Sequence, residues 1–390
     1  MSETKSIDPT LFPELGLQPE PTTFGTGVLP SQALRQAVVD KRIKADIEIT
    51  EEQIQPASID LRLGTVAYRV QASFLPNQRS TVAEKIAGLS MAGVSLDSPT
   101  LLERDCVYII PAMETFELPS DTSGYANPRS TTGRLDIFTR LIADYSGEFD
   151  RIPKGYAGNV FLEVVPRTFP IIVSSGMRLC QVRLVRGSPP ATDSIISALD
   201  AEESLVFVDT ESPGKAQIKK GLWFSVSLDT NGESQVVAYK AKRNTRAVDL
   251  SKVSYYAPNE FWEPILGSQS KGLVLDPGDF YILASKERVR VPIDVAAEMV
   301  PFDASIGEFR VHYAGFFDPG FGYGSSDIKG TRAVLEVRAH DVPALIEDGQ
   351  YLGRLRYMRL LCRPDKIYSQ QIGSSYQGQE LTLSKQFKRS

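Results

Sequence analysis

Most of the chain alternates apolar and polar residues with a period of two. The runs SIDLRLGTVAYRV (58–70), CVYIIPAMETFEL (106–118), GNVFLEVV (158–165) and MRLCQVRLV (177–185) are short and rich in Val, Ile and Leu. Gly, Pro, Asn and Asp separate them. That spacing predicts strands, and a second β-rich series follows to about residue 361. Helical spacing occurs early, in SQALRQAVVDKRI (31–43), with Ser31 as the expected N-cap. The stretch GSPPATDSIISALDAEES (187–204) reads as a linker with a short helix.

The pattern repeats. FLEVVPRTFPIIVSSGMRLCQVRL (161–184) aligns without a gap on VLEVRAHDVPALIEDGQYLGRLRY (334–357), an offset of 173. Leu162, Glu163, Val164, Pro170, Gly176, Leu179 and Arg183 fall on Leu335, Glu336, Val337, Pro343, Gly349, Leu352 and Arg356. The same offset pairs VYIIPAMETFELP (107–119) with FYILASKERVRVP (280–292). Two blocks in one register imply a tandem duplication of an all-β unit. The expected layout is an N-terminal arm (1–28), a first unit (29–190), a linker (191–204), a second unit (205–366) and a C-terminal tail (367–390).

Composition narrows the class. With 42% hydrophobic and 23% charged residues in 390, this is a folded chain of about two domains. Apolar runs such as IIV (171–173) are too short to cross a bilayer, and the first residues lack the pattern of a secretory signal. Cys106, Cys180 and Cys362 are scattered singly, which suits a reducing compartment rather than a disulfide framework. A net charge of −5 argues against a broad nucleic-acid-binding face but leaves room for a local basic pocket. The expectation is a cytoplasmic protein that binds neither membrane nor nucleic acid.

Such a pocket is suggested by YANPRSTTGRLDIF (125–138), where Arg129, Ser130 and Arg134 surround a turn. Arginine's planar fork suits phosphate oxygens and can also hold a carboxylate. In the second copy the counterpart is PFDASIGE (301–308), so Arg129 faces Asp303, Ser130 faces Ala304 and Arg134 faces Glu308. Two cations become carboxylates, which would repel a phosphate. Glu163 interrupts an apolar strand, where burial can raise its pKa toward general acid–base work; an outward-facing strand glutamate is the bland alternative. A zinc deaminase needs H-x-E and P-C-x-x-C. Only His312 and His340 occur, neither followed by that Glu, and no two cysteines are close.

Five separated motifs resemble the dCTP deaminases, which share the trimeric dUTPase fold: QPASIDLRLG (55–64), RSTTGR (129–134), KGYAGNVFLEV (154–164), GMRLCQV (176–182) and SSYQGQELTLSKQF (374–387). The layout is similar to the long tandem form. The resemblance implies a mostly β protein built from two distorted β-barrel or jelly-roll units. It also implies a homotrimer with sites between subunits, and conversion of dCTP and water to dUTP and ammonia. By the same resemblance Glu163 is the catalytic acid/base, with Ser130 and Arg134 placing water and base. Arg129, Asp150, Gln181, Tyr376, Gln379 and Lys385 contact substrate, the last three from a tail that closes as a lid. Asp60 lies near the phosphates and a Mg2+ carried by the triphosphate, with no zinc, and dTTP is an expected inhibitor.

The family's Asp-Pro-Gly ahead of its glutamate is missing from the first half, where DRIPKGYAG (150–158) stands, yet persists as DPGFG (318–322) in the second. Three chains stacked as a ring of first halves on a ring of second halves would join Glu163 to Ser130 and Arg134 at each first-half interface. The second ring would then be structural. Alternatives are a dUTP diphosphatase, a bifunctional enzyme, or a non-catalytic nucleotide-binding protein.

Overall fold

A computed structural model describes residues 24–229, 235–267, 272–300, 309–312 (backbone), 315–323, 329–339, 341–368 and 380–389. Among these the protein is mostly β, and the two halves repeat one plan. In the first, Ala157–Pro166 lies between Val107–Glu117 and Ile137–Ala143 in a six-stranded sheet. A five-stranded sheet, centred on Arg178–Arg186 and Thr122–Pro128, accompanies it. In the second, Thr331–Ala339 lies between Phe280–Val289 and Phe309–His312.

The duplication is kept in the register itself: Glu163 sits opposite Ile109, and Glu336 opposite Ile282, each pair displaced by 173. From Val160 onward Ala157–Pro166 is buried on both faces. A strand covered on both sides loses the need for polar alternation, which explains the continuous run VFLEVV.

One expected helix differs. It spans Ser31–Val39, four residues shorter than the periodicity suggested, and Pro30 occupies the N-cap position without a side-chain cap. Ser31 instead donates to Asp365 at 2.5 Å. The chain then turns at Lys41, whose φ is +58°, and Ile43–Lys44 joins the sheet. The linker carries a helix at Asp193–Glu202.

The halves share one packed seam. Val248–Asp249 of the second half pairs in parallel with Ile171–Val173 of the first. Phe169 of the first half meets Phe261 and Trp262 of the second edge-on at 5.6 and 5.4 Å, and Phe387 of the tail completes the group. Edge-to-face aromatics bury large apolar surfaces with favourable quadrupole geometry. This cluster therefore fixes the tail and both halves to one another. No helix among the described residues is long and apolar enough to cross a membrane.

Candidate active site

The turn that drew attention in the sequence is a single helical turn, Ser130–Gly133, continued by Arg134 in the αR region. Residues four apart on such a turn face the same way, so Ser130 and Arg134 line one pocket. Arg129, just outside the turn, lines a neighbouring one.

The narrower pocket, about 50 Å³, lies between the halves. The first half supplies Ser130 and Arg134; the second supplies Glu336 and an apolar wall that includes Phe316, Phe317 and Phe321. Arg134 Nε stands 4.0 Å from Glu336 Oε1, and both side chains are almost wholly buried. Burial pushes the Glu336 carboxyl up to about 8, against the opposing pull of Arg134. Arg134 also donates to the backbone oxygen of Thr382 at 3.0 Å, tying the tail to the same spot.

The wider pocket, about 300 Å³, is basic, with Arg129, Arg178 and Lys385 in its lining beside Ser251 and Gln386. Beneath it, Asp60 is fully buried, with Arg129 at 3.4 Å and Arg178 at 3.6 Å. Neither Asp60 carboxylate oxygen accepts a hydrogen bond. Burial raises its pKa while the two guanidiniums oppose the rise. Lys385 is shifted down, first by burial and then by repulsion from Arg129 and Arg178. Three cations held this close together leave room for an anion.

Glu163 does not meet Ser130 and Arg134 in this chain. It is fully buried, and its Oε1 accepts from Arg140 Nε at 3.0 Å and Nη2 at 2.5 Å. Arg140 is the cross-strand partner of Glu163, and its guanidinium also lies 3.4 Å above the Phe149 ring. Within one chain it is the second half's glutamate that faces the first half's turn. The physical reason is local: Arg140 already neutralises Glu163, whereas Glu336 faces Arg134 across the seam.

Asp150 belongs with Glu163 rather than with the turn. Its carboxylate accepts from the Leu141 backbone, and burial pushes it up to about 7, with Arg140 opposing and Glu163 reinforcing. Gln181 is paired in register with Asp60 and accepts weakly from Ser58 at 3.4 Å, lining neither pocket. Lys385 lines the basic cavity; Tyr376 and Gln379 lie outside the described residues. Arg178 and Arg140 were missed by sequence reasoning. Arg178 follows directly on the GM of GMRLCQV, so its motif was in view; Arg140 is signalled only by its strand register.

Fold and junction define a two-unit β protein with a basic cavity opening beside a narrow, aromatic-walled one. Residues 25–188 match the family described as the 2'-deoxycytidine 5'-triphosphate deaminase (DCD) N-terminal domain, and 192–387 match its C-terminal domain. The chain belongs to the dCTP deaminase family. A solved structure, that of the 2'-deoxycytidine 5'-triphosphate deaminase from Agrobacterium tumefaciens, is 45% identical with a TM-score of 0.82, covering 88% of this chain and all of that one. A "dCTP deaminase, dUMP-forming" of Parafrankia sp. is 29% identical over 173 residues, 44% of this chain and 82% of the relative. A "dCTP deaminase" of Halorubrum lacusprofundi is 26% identical over 161 residues, 40% and 76% respectively.

Proposed function

We propose that this dCTP deaminase works in the pocket at the junction of its halves, with Glu336, not Glu163, as the acid/base. The observation that carries this is the pairing of buried Glu336 with Arg134 beside Ser130. A carboxyl raised to about 8 enters the reaction protonated at neutral pH. It donates its proton to N3 of the cytosine, then takes one from the water that attacks C4. The tetrahedral intermediate collapses as the carboxyl passes a proton to the amino group and receives one from the new hydroxyl. Uracil and ammonia result, and Glu336 ends as it began. Arg134 stabilises the carboxylate while it is charged, and Ser130 orients the water.

The triphosphate lies in the basic cavity on Arg129, Arg178 and Lys385. Asp60, with two buried oxygens that accept no hydrogen bond, fits a magnesium ion carried in on the phosphates. Such an ion would offset phosphate charge during binding. Among the described residues, no group of three His, Cys, Asp or Glu side chains could hold a metal on its own. Since dTTP carries the same sugar and triphosphate, it is proposed to compete there. A homotrimer is the proposed assembly, although one chain supplies both halves and the tail of each site. The three unpaired cysteines favour a cytoplasmic location.

Product analysis on dCTP with magnesium tests this reading. Glu336→Gln is expected to lose on the order of 10²-fold or more in kcat, the range for a general acid/base. A Glu163→Gln variant as inactive as Glu336→Gln would overturn it. Relatives named dUMP-forming make pyrophosphate release a second reading, separated by assaying ammonia and pyrophosphate together.

A further inference from the structure

Arg183 has no exposed surface, yet it belongs to the first half and its contacts cross the seam. Nε donates to Ala57 O at 3.3 Å and Nη1 to Ala297 O at 2.9 Å. Nη2 reaches Phe317 O at 3.5 Å and Asp318 Oδ1 at 3.3 Å. The guanidinium also lies 4.1 Å from the centre of the Phe316 ring. Phe316–Phe317 is a two-residue strand at the edge of its sheet, and Ala297 is the cross-strand partner of Phe317. One side chain from the first half therefore clamps both members of an edge pair in the second.

That edge pair is the wall of the base pocket. Phe316, Phe317 and Phe321 line it opposite Ser130 and Arg134, while Arg183 lines neither pocket. Phe317 and Phe321 meet edge-on at 4.9 Å, so a shift at Phe317 carries into the next wall residue. Stability gives a poor account of Arg183. Burying a guanidinium is costly, and replacing a buried ion pair with apolar groups is often neutral or stabilising. Burial lowers the pKa of Arg183 and raises that of Asp318, and each opposes the shift in the other. What a planar fork supplies that an apolar side chain does not is direction: it fixes two carbonyls and one carboxylate of the second half at once, from a third carbonyl in its own.

We propose that Arg183 is a positioning residue for base recognition, holding the Phe316–Phe317 wall of the second half at the distance from the Ser130–Arg134 turn that cytosine requires. It acts through the wall and touches no reacting atom. The proposal rests on the junction pocket being the active site.

The test is steady-state kinetics on dCTP for Arg183→Lys and Arg183→Met, with Glu336→Gln alongside. Arg183→Met is expected to raise KM about tenfold with kcat within about threefold of wild type, because the wall loosens while the groups doing chemistry stay in place. Arg183→Lys restores one donor and is expected to recover part of the KM. If Arg183→Met does not fold, Arg183→Met combined with Asp318→Asn removes the stranded charge and is held to the same expectation. A soluble variant with wild-type KM, or one whose only change is a lower melting temperature, overturns the positioning role. If Glu336→Gln stays fully active, the pocket itself is misassigned. An inactive Glu336→Gln beside an unchanged KM in Arg183→Met sinks only the role of Arg183.

Discussion

Arg134 approaches Glu336 of the other half at 4.0 Å, whereas Glu163, the duplicate of Glu336, is gripped at 2.5 Å by Arg140 of its own half. Duplication supplied two glutamates, and the Arg-Ser-Arg turn of the first half lies beside the one in the second half; the turn's own counterpart, PFDASIGE (301–308), lies outside the described residues.

The raised pKa of Glu336 gives a pH signature. Its carboxyl sits at about 8 in the folded protein against an ordinary 4.5, so the protonated form is the stable one in the fold. Its stability contribution is complete below pH 4.5 and is lost as the pH rises through about 8. kcat/KM is therefore expected to fall on an alkaline limb near pH 8. Arg134 pulls that pKa down, so Arg134→Met should move the limb upward. Glu336→Gln should flatten the pH dependence of the melting temperature over the same interval, raising it relative to wild type on the alkaline side. A limb that stays put in Arg134→Met would argue against this coupling.

Breaking the Arg140–Glu163 pair is expected to be asymmetric. Arg140 is 22% exposed and Glu163 is not exposed at all. Arg140→Met strands a buried carboxylate and should cost about 3 kcal/mol. Glu163→Gln leaves an arginine that can turn to water and should cost about 1 kcal/mol. Chemical denaturation of both variants measures the difference, and equal costs would contradict the geometry. Deaminase activity of the Glu163→Gln protein is expected to remain within a few-fold of wild type.

Much of this was legible in the chain. The 173-residue offset foretold two matching units, and it reappears as strand register at Glu163 and Glu336. Arg129, Ser130 and Arg134 announced themselves by charge clustered at a turn. Which glutamate they would face was not legible, because it depends on how the halves pack. The deciding residue, Arg140, is an ordinary arginine in its own segment. Arg183 was hidden likewise: it was seen as one more repeat match, and only its burial against the opposite half gives it meaning.

Phosphate binding by Arg178 is a direct kinetic prediction. It lines the basic cavity but not the pocket holding Ser130 and Glu336. Arg178→Ala is expected to raise KM for dCTP about tenfold with kcat nearly unchanged, as loss of uniform binding requires. The defect should shrink as the substrate is cut from triphosphate to monophosphate. Equal defects on dCTP and deoxycytidine would remove Arg178 from the phosphate site.

The tail offers the last test. Its composition suggests disorder, yet Phe387 is 2% exposed and meets Phe261 and Trp262 edge-on. Ser384 donates to Thr131 O at 3.0 Å, and Thr382 O accepts from Arg134, so the segment is fastened directly over the Ser130–Arg134 turn. Lys385, two residues before the anchor, is thereby held in the basic cavity. Phe387→Ala removes the anchor at a local cost of about 3 kcal/mol. Phe387 packs at the edge of the first half's core cluster from the chain's last segment, so its loss is expected to release that segment before the barrels unfold. Hydrogen exchange at 381–388 is expected to accelerate while the strand amides of 157–166 stay protected. KM for dCTP should rise more than kcat falls, since Lys385 leaves the phosphates while Glu336 stays in place. Accelerated exchange across both segments would show instead that Phe387 supports the core, and a tail as protected as in wild type would show that the anchor lies elsewhere.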